Sequence, residues 1–151
     1  MKKLPKTLKL ILIFALVQLI LHTIGEYTIC GIFYSMEGQG ILEHQLLMFS
    51  AITGDVFIGL GLFVLLAFVN KRSDWFLDKW QRKDIVIYLL YSILIAFYFE
   101  IHALHTGRWG YQANMPLVPG TPIGLVPVVH LLIILPLSLI ITKKIYQSKF
   151  A

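Results

Sequence analysis

An all-α integral membrane bundle of four transmembrane helices is the fold this sequence predicts. Three observations carry the prediction. The chain has a mean hydropathy of +0.78 with only 14% charged residues, against about a quarter in an ordinary soluble domain. Its apolar residues fall into four long runs, where a bilayer span takes about 20 residues. Its thirteen Lys and Arg collect on alternate sides of those runs. A chain of 151 residues holds four such runs and little else, so residues 1–151 form a single membrane domain.

The first span is expected at about 10–30, after Lys2, Lys3, Lys6 and Lys9. A basic start before an apolar run also fits a secretory signal peptide, but no small-x-small cleavage site follows Leu21; the expectation is a retained helix. Thr28 to Gln45, with Gly31, Gly38, Gly40, Glu37 and Glu43, shows no periodicity and is expected to be loop. The second span, at about 46–69, carries one charge, Asp55. Residues 70–84 are the most charged stretch, and Trp75, Phe76 and Trp80 are spaced to share one side of a short helix, so an interfacial anchor is expected there. The third span is expected at about 85–104. The fourth, at about 123–142, contains Pro127 and Pro136 and is expected to bend, because an internal proline frees a carbonyl and kinks the axis.

Four basic residues precede the first span, five lie between the second and third, and three follow the fourth, leaving Arg108 alone on the other side. The positive-inside bias then places both termini and the middle loop in the cytoplasm, which accounts for the net charge of +5 without a nucleic-acid partner. The single cysteine, Cys30, excludes an internal disulfide and a cysteine-rich metal cluster. Glycine-rich phosphate loops, a serine elbow, a zinc-protease helix and paired Asp-rich motifs are all missing from the sequence. No cofactor and no metal site is implied.

Counting inward at about 1.5 Å per residue, His22, Asp55, Glu100 and His130 fall roughly 5 to 15 Å beneath the outer surface. Residues three or four apart share a helix face. The stripes Ala15-Gln18-His22-Glu26, Ala51-Asp55-Gly59 and Ser92-Ala96-Glu100-Ala103 are therefore small or polar seams on otherwise greasy helices. Ionisable groups at that depth point inward, since exposing them to lipid costs several kcal/mol, so the seams are expected to converge on a polar pocket. In the alternative the same groups only tie helices together, Asp55 with His22 and Glu100 with Arg108 or His130. Asp55 and Glu100 are the acid/base candidates. His22, Arg108, Trp109, Tyr111 and His130 are candidates for substrate binding, with Arg108 set to hold an anion. His102 and His105, three apart, and His22 with Glu26 have spacings that suit a metal ion, but solvated or structural histidines explain them as well. Gly54, Gly59 and Gly61 follow no phosphate-binding pattern and are assigned to helix packing.

The run formed by Glu100, Ala103, Gly107, Arg108, Trp109, Tyr111, Met115 and Pro116, E-x-x-A-x-x-x-G-R-W-x-Y-x-x-x-M-P, resembles a signature of an uncharacterised family of small bacterial four-helix integral membrane proteins. Gly54-Asp55-Val56 and the Gly124–Pro127 segment resemble the same pattern. The resemblance implies a bacterial cytoplasmic membrane and groups Asp55, Glu100, Arg108, Trp109 and Tyr111 as a set; it brings no activity with it. The functional expectation is a pocket near the outer face that binds or modifies a lipid-like or polyprenoid substrate, an anionic lipid included. Proton-coupled or metal transport, and service as an assembly subunit with a homo-oligomeric or other membrane partner, are the alternatives.

Overall fold

The computed structural model describes residues 5–35 and 38–150. Lys2 and Lys3 of the basic start and Glu37 of the first loop lie outside them. Four long helices, α1 (Lys6–Phe33), α2 (Ile41–Asn70), α3 (Arg82–His105) and α4 (Leu125–Phe150), are each long and apolar enough to cross a membrane. At about 1.5 Å per residue they exceed the roughly 30 Å of hydrocarbon in a bilayer. Their outward faces carry Leu12, Leu16, Phe49, Phe57, Phe68, Leu90, Leu94 and Ile133, all exposed, which suits lipid as the solvent and would be a large sticky surface in water. The interior runs the other way: Gln18, His22, Ser92, Ser138 and Thr142 are completely buried.

Around the bundle the order is α2, α1, α4, α3. The α1/α2 and α1/α4 seams are the closest and α3/α4 follows, while α2 and α3 touch little. Small residues let the tight seams form. Gly59 on α2 lies against the Gln18 side chain of α1, and Gly25 on α1 lies against the His130 ring of α4. Phe14 and Phe63 pack with ring centroids 5.5 Å apart across α1/α2. On α3/α4 the phenol of Tyr88 donates to the carbonyl of Leu132. That carbonyl lies four residues before Pro136, which has no N–H to give it, so α3 supplies the hydrogen bond that the proline removes from α4. Helix α4 runs unbroken through Pro136. Pro127 falls in the first turn, where the backbone N–H groups have no intrahelical acceptor to lose.

The helices also begin and end differently from the expectation. The stretch from Thr28 to Phe33 is helix, its one hydroxyl absorbed by a bond back along the chain, from Thr28 Oγ1 to the Ile24 carbonyl at 2.7 Å. Helix α2 starts at Ile41, where the Gly40 N–H donates to the Glu43 carboxylate at 3.1 Å. It ends with Lys71 in the left-handed region, φ 54°. This turn sends the chain inward, and Trp75 and Phe76, in a 3-10 turn (Trp75–Leu77), are buried against Leu10, Phe14, Phe63 and Leu66. They plug the bundle at its Lys-rich end, where an interfacial anchor was expected. Asp74 holds that plug to α1 by bonding Lys6. Asp84, almost fully buried, starts α3 by accepting the Gln81 N–H at 2.8 Å and the Asn70 amide at 2.7 Å.

Candidate functional site

At the opposite end, a short antiparallel pairing of β1 (Tyr34–Ser35) with β2 (Gly110–Tyr111) roofs the bundle. Helix α3 ends at His105, and Gly107, at φ 66°, reverses the chain, with the Arg108 N–H donating to the Ala103 carbonyl at 2.9 Å. Only glycine takes that backbone conformation without cost. The reversal lays Arg108, Trp109 and Tyr111 back over the helix they have just left. The Asn114 side chain donates to the Ile32 carbonyl at 3.0 Å and that of Gln112 to the Tyr34 carbonyl at 3.1 Å, fixing the loop on the end of α1.

Beneath this roof lies a cavity of about 110 Å³, room for several waters or a small polar group. All four helices and the roof contribute to its lining. The charged and polar groups are Glu26, Ser50, Asp55, Glu100, Arg108, Trp109, His130 and Tyr34. Leu47, Ile58, Ile95 and Phe99 give it an apolar side between α2 and α3.

Each carboxylate is already engaged. Glu100, buried, accepts from the Tyr111 phenol, from the Tyr34 phenol at 3.2 Å and from the Trp109 indole at 3.5 Å. Tyr111 in turn accepts the Gly124 N–H at 2.9 Å, and a side chain at position 124 would crowd the end of the Tyr111 ring and the Met115 sulfur. Burial first, then the Glu100 charge, pushes the Tyr34 phenol well above its usual range. Burial and the hydrogen bond to Glu100 do the same for Tyr111. Both phenols therefore stay protonated and serve as fixed donors; Tyr111 is a poor proton source for a substrate. Asp55 lies 3.1 Å from His22 Nδ1, at ion-pair distance but off the line of a hydrogen bond. The other ring nitrogen of His22 meets Gln18 Oε1 at 3.0 Å. Glu26 lies 3.3 Å from His130 Nδ1. The two imidazoles meet edge to face, centroids 5.3 Å apart.

Arg108 is different. It donates to the Ser50 hydroxyl at 2.6 Å and lies over the Trp109 ring at 5.0 Å, and no ion pair to it is formed among the described residues. The structure thus brings Asp55, Glu100, Arg108, Trp109 and His130 to one cavity, with His22 and Tyr111 immediately behind its wall. Of the pairings open at the sequence level, Asp55 with His22 is formed. Glu100 bonds neither Arg108 nor His130. His102 and His105 are exposed at the end of α3, His102 stacked on Tyr98, and neither lines the cavity. No group of three or more metal-ligating side chains occurs among the described residues.

Tyr34 and Ser50 went unremarked in the sequence. Nothing near Tyr34 marks it, because its partners Glu100 and Tyr111 lie on elements far along the chain. Glu26 and Gln18 do carry a signal, the polar stripe on α1, although the sequence singled out only His22 from it as a binding group. Comparison of the chain with protein-family models, with curated proteins and with solved structures finds no match.

Proposed function

We propose that this chain is a bacterial cytoplasmic-membrane protein, both termini cytoplasmic, whose cavity near the outer face takes the anionic head of a lipid-like or polyprenoid molecule, to bind or to modify it. The observation that carries the reading is the uneven pairing inside the cavity. Glu26, Asp55 and Glu100 each have a protein partner at ion-pair or hydrogen-bond distance, whereas Arg108 has only a hydroxyl and an indole face. A guanidinium at such a place matches a phosphate or carboxylate with its fork of donors. An apolar side to the same cavity suits the hydrocarbon part of the molecule. If the site does chemistry, Glu100 and Asp55 are its acid/base groups, since both reach the cavity.

Passage of an ion or proton through the bundle is the weaker reading. Below the cavity the interior is filled by Phe14, Leu62, Phe63, Leu66, Phe76, Leu135 and Leu139, all buried. Native mass spectrometry of the protein released from mild detergent tests the proposal. Wild type is expected to retain an anionic lipid-like mass that Arg108→Gln loses and Glu100→Gln weakens. A retained metal, a stoichiometric protein partner, or a lipid mass indifferent to Arg108 would overturn it.

A further inference from the structure

We infer that the hydrocarbon chain of the bound amphiphile leaves the cavity sideways, between α2 and α3, across the bare backbone of Gly54, and that Gly54 is the residue that admits it. The inference deepens the reading above and rests on the cavity taking the head of such a molecule.

Three glycines lie close together on α2, and two of them are explained by packing. A Cβ at Gly59 would sit 2.5 Å from Gln18 Oε1, and one at Gly61 would sit 2.6 Å from the Tyr91 hydroxyl. A Cβ at Gly54 would meet nothing within 4 Å. Assigning all three to helix packing therefore fails for Gly54. Glycine is a poor helix former, and here no neighbouring protein atom requires it. Gly54 lines the cavity, and a glycine on a cavity wall leaves the backbone open to close approach by a ligand.

The other helix seams around the cavity pack more closely than α2/α3. Tyr34 and Trp109, bonded to Glu100, cover the loop end. The buried aromatic and aliphatic core fills the opposite end. Gly25 against His130 and Gly59 against Gln18 seal α1 to its two neighbours, and Tyr88 with Leu132 joins α3 to α4. Among the described residues two hydrogen bonds tie α2 to α3, both on the far side of Gly54 from the roof: the Asn70 amide to Asp84 at 2.7 Å at the Lys-rich end and, nearer the roof, the Tyr91 hydroxyl to the Ile58 carbonyl at 2.8 Å. Above the Tyr91 tie the walls are Leu47, Ala51 and Gly54 on α2 and Ile95 and Phe99 on α3, all but Phe99 half-buried and Phe99 exposed. Ser50, which holds Arg108, precedes Gly54 by four residues and so shares its face, about one turn closer to the helix end. An anion on Arg108 and Ser50 would place the first carbons of its chain at Gly54, running toward the bilayer centre as a lipid tail does.

The test uses the full chain in mild detergent with three probes of equal chain length, hexadecyl phosphate, palmitate and hexadecanol, and reads affinity by titration in native mass spectrometry. Wild type is expected to bind one or both anions at least about tenfold more tightly than the alcohol; which anion wins separates a phosphate head from a carboxylate. Gly54→Ala should weaken binding modestly. Gly54→Phe, which fills the seam, and Phe99→Trp on the facing wall should each weaken it by about tenfold or more, with elution volume and helical circular dichroism unchanged. Should Gly54→Phe fail to fold, Gly54→Leu and Phe99→Trp carry the same expectation. If Arg108→Gln abolishes binding while the seam variants bind as wild type, lateral exit is overturned and the head-group reading stands. If wild type binds the alcohol as well as the anions, the head-group reading falls and this inference with it.

Discussion

Adding one methyl group at each of the three α2 glycines in turn gives three different outcomes for stability. Alanine is favoured over glycine in a helix interior by about 0.5–1 kcal/mol. At Gly54 nothing offsets this gain, because the new Cβ enters open space, so Gly54→Ala should stabilise the fold by up to that amount. At Gly59 the Cβ lies 2.5 Å from Gln18 Oε1 and 2.7 Å from its Cδ. Gln18 is completely buried and bonds His22 at 3.0 Å. Overpacking costs about 1–3 kcal/mol and a disturbed hydrogen bond about 0.5–1.5 kcal/mol. After the helical gain, Gly59→Ala should be destabilising by about 0.5–4 kcal/mol. Gly61 is intermediate. The Tyr91 hydroxyl, 2.6 Å away, is the far end of a side chain that can swing, so the net cost is the lost bond to Ile58 less the helical gain, between zero and about 1 kcal/mol. Unfolding of the three variants followed by circular dichroism during denaturant titration in one detergent should rank them Gly54→Ala, wild type, Gly61→Ala, Gly59→Ala. A Gly54→Ala protein less stable than wild type would refute the reasoning, since it would mean that position 54 is packed.

Three further outcomes follow from other parts of the bundle. Tyr88→Phe leaves the Leu132 carbonyl without either the phenol or a proline N–H, and should cost about 1–3 kcal/mol in the same unfolding assay; a neutral result would show that α4 needs no help at Pro136. Lys71→Gly relieves a left-handed residue at the end of α2 and should stabilise by about 1 kcal/mol, readable as a raised unfolding midpoint. Hydrogen bonds from Arg72 and then Lys6 hold the Asp74 carboxyl down to about 2 from 3.8. Because the folded value is the lower one, the stabilisation is full above about pH 4 and disappears as pH falls toward 2. The site is partly open to solvent, so the effect stays within about 1 kcal/mol. Asp74→Asn should flatten that portion of the acid-unfolding profile, and an unchanged profile would discount the clamp on the plug.

Hydropathy and charge placement made the four helices legible, because each property is summed over many residues and survives local exceptions. Boundaries were less so. The stretch from Thr28 to Phe33 looks like loop until the Thr28 hydroxyl is seen bonding back to the preceding turn, which hides its polarity from the surroundings. Trp75 and Phe76 have the composition of an interfacial anchor; a single left-handed residue, Lys71, turns them inward, and no pattern of side chains announces a backbone reversal. The convergence of Asp55, Glu100 and His130 could be anticipated because stripes of matching depth on separate helices must face a common axis to avoid lipid. Tyr34 could not, because its role depends on strand pairing with Tyr111. Gly54 was visible as a glycine, but only the space around it distinguishes it from Gly59 and Gly61.

The bond from Tyr88 to the carbonyl before Pro136 constrains how the molecule can breathe. It stitches α3 to α4 at the one place where α4 would otherwise be weakest, so those two helices should drift as a unit. With α1 wedged against both α2 and α4, only one edge of the ring is left to part, and the bundle works like a clasp with a fixed hinge on the side away from its opening. Loosening the Tyr88 stitch would hand the freedom to α4 instead, and the clasp would gape on the wrong side.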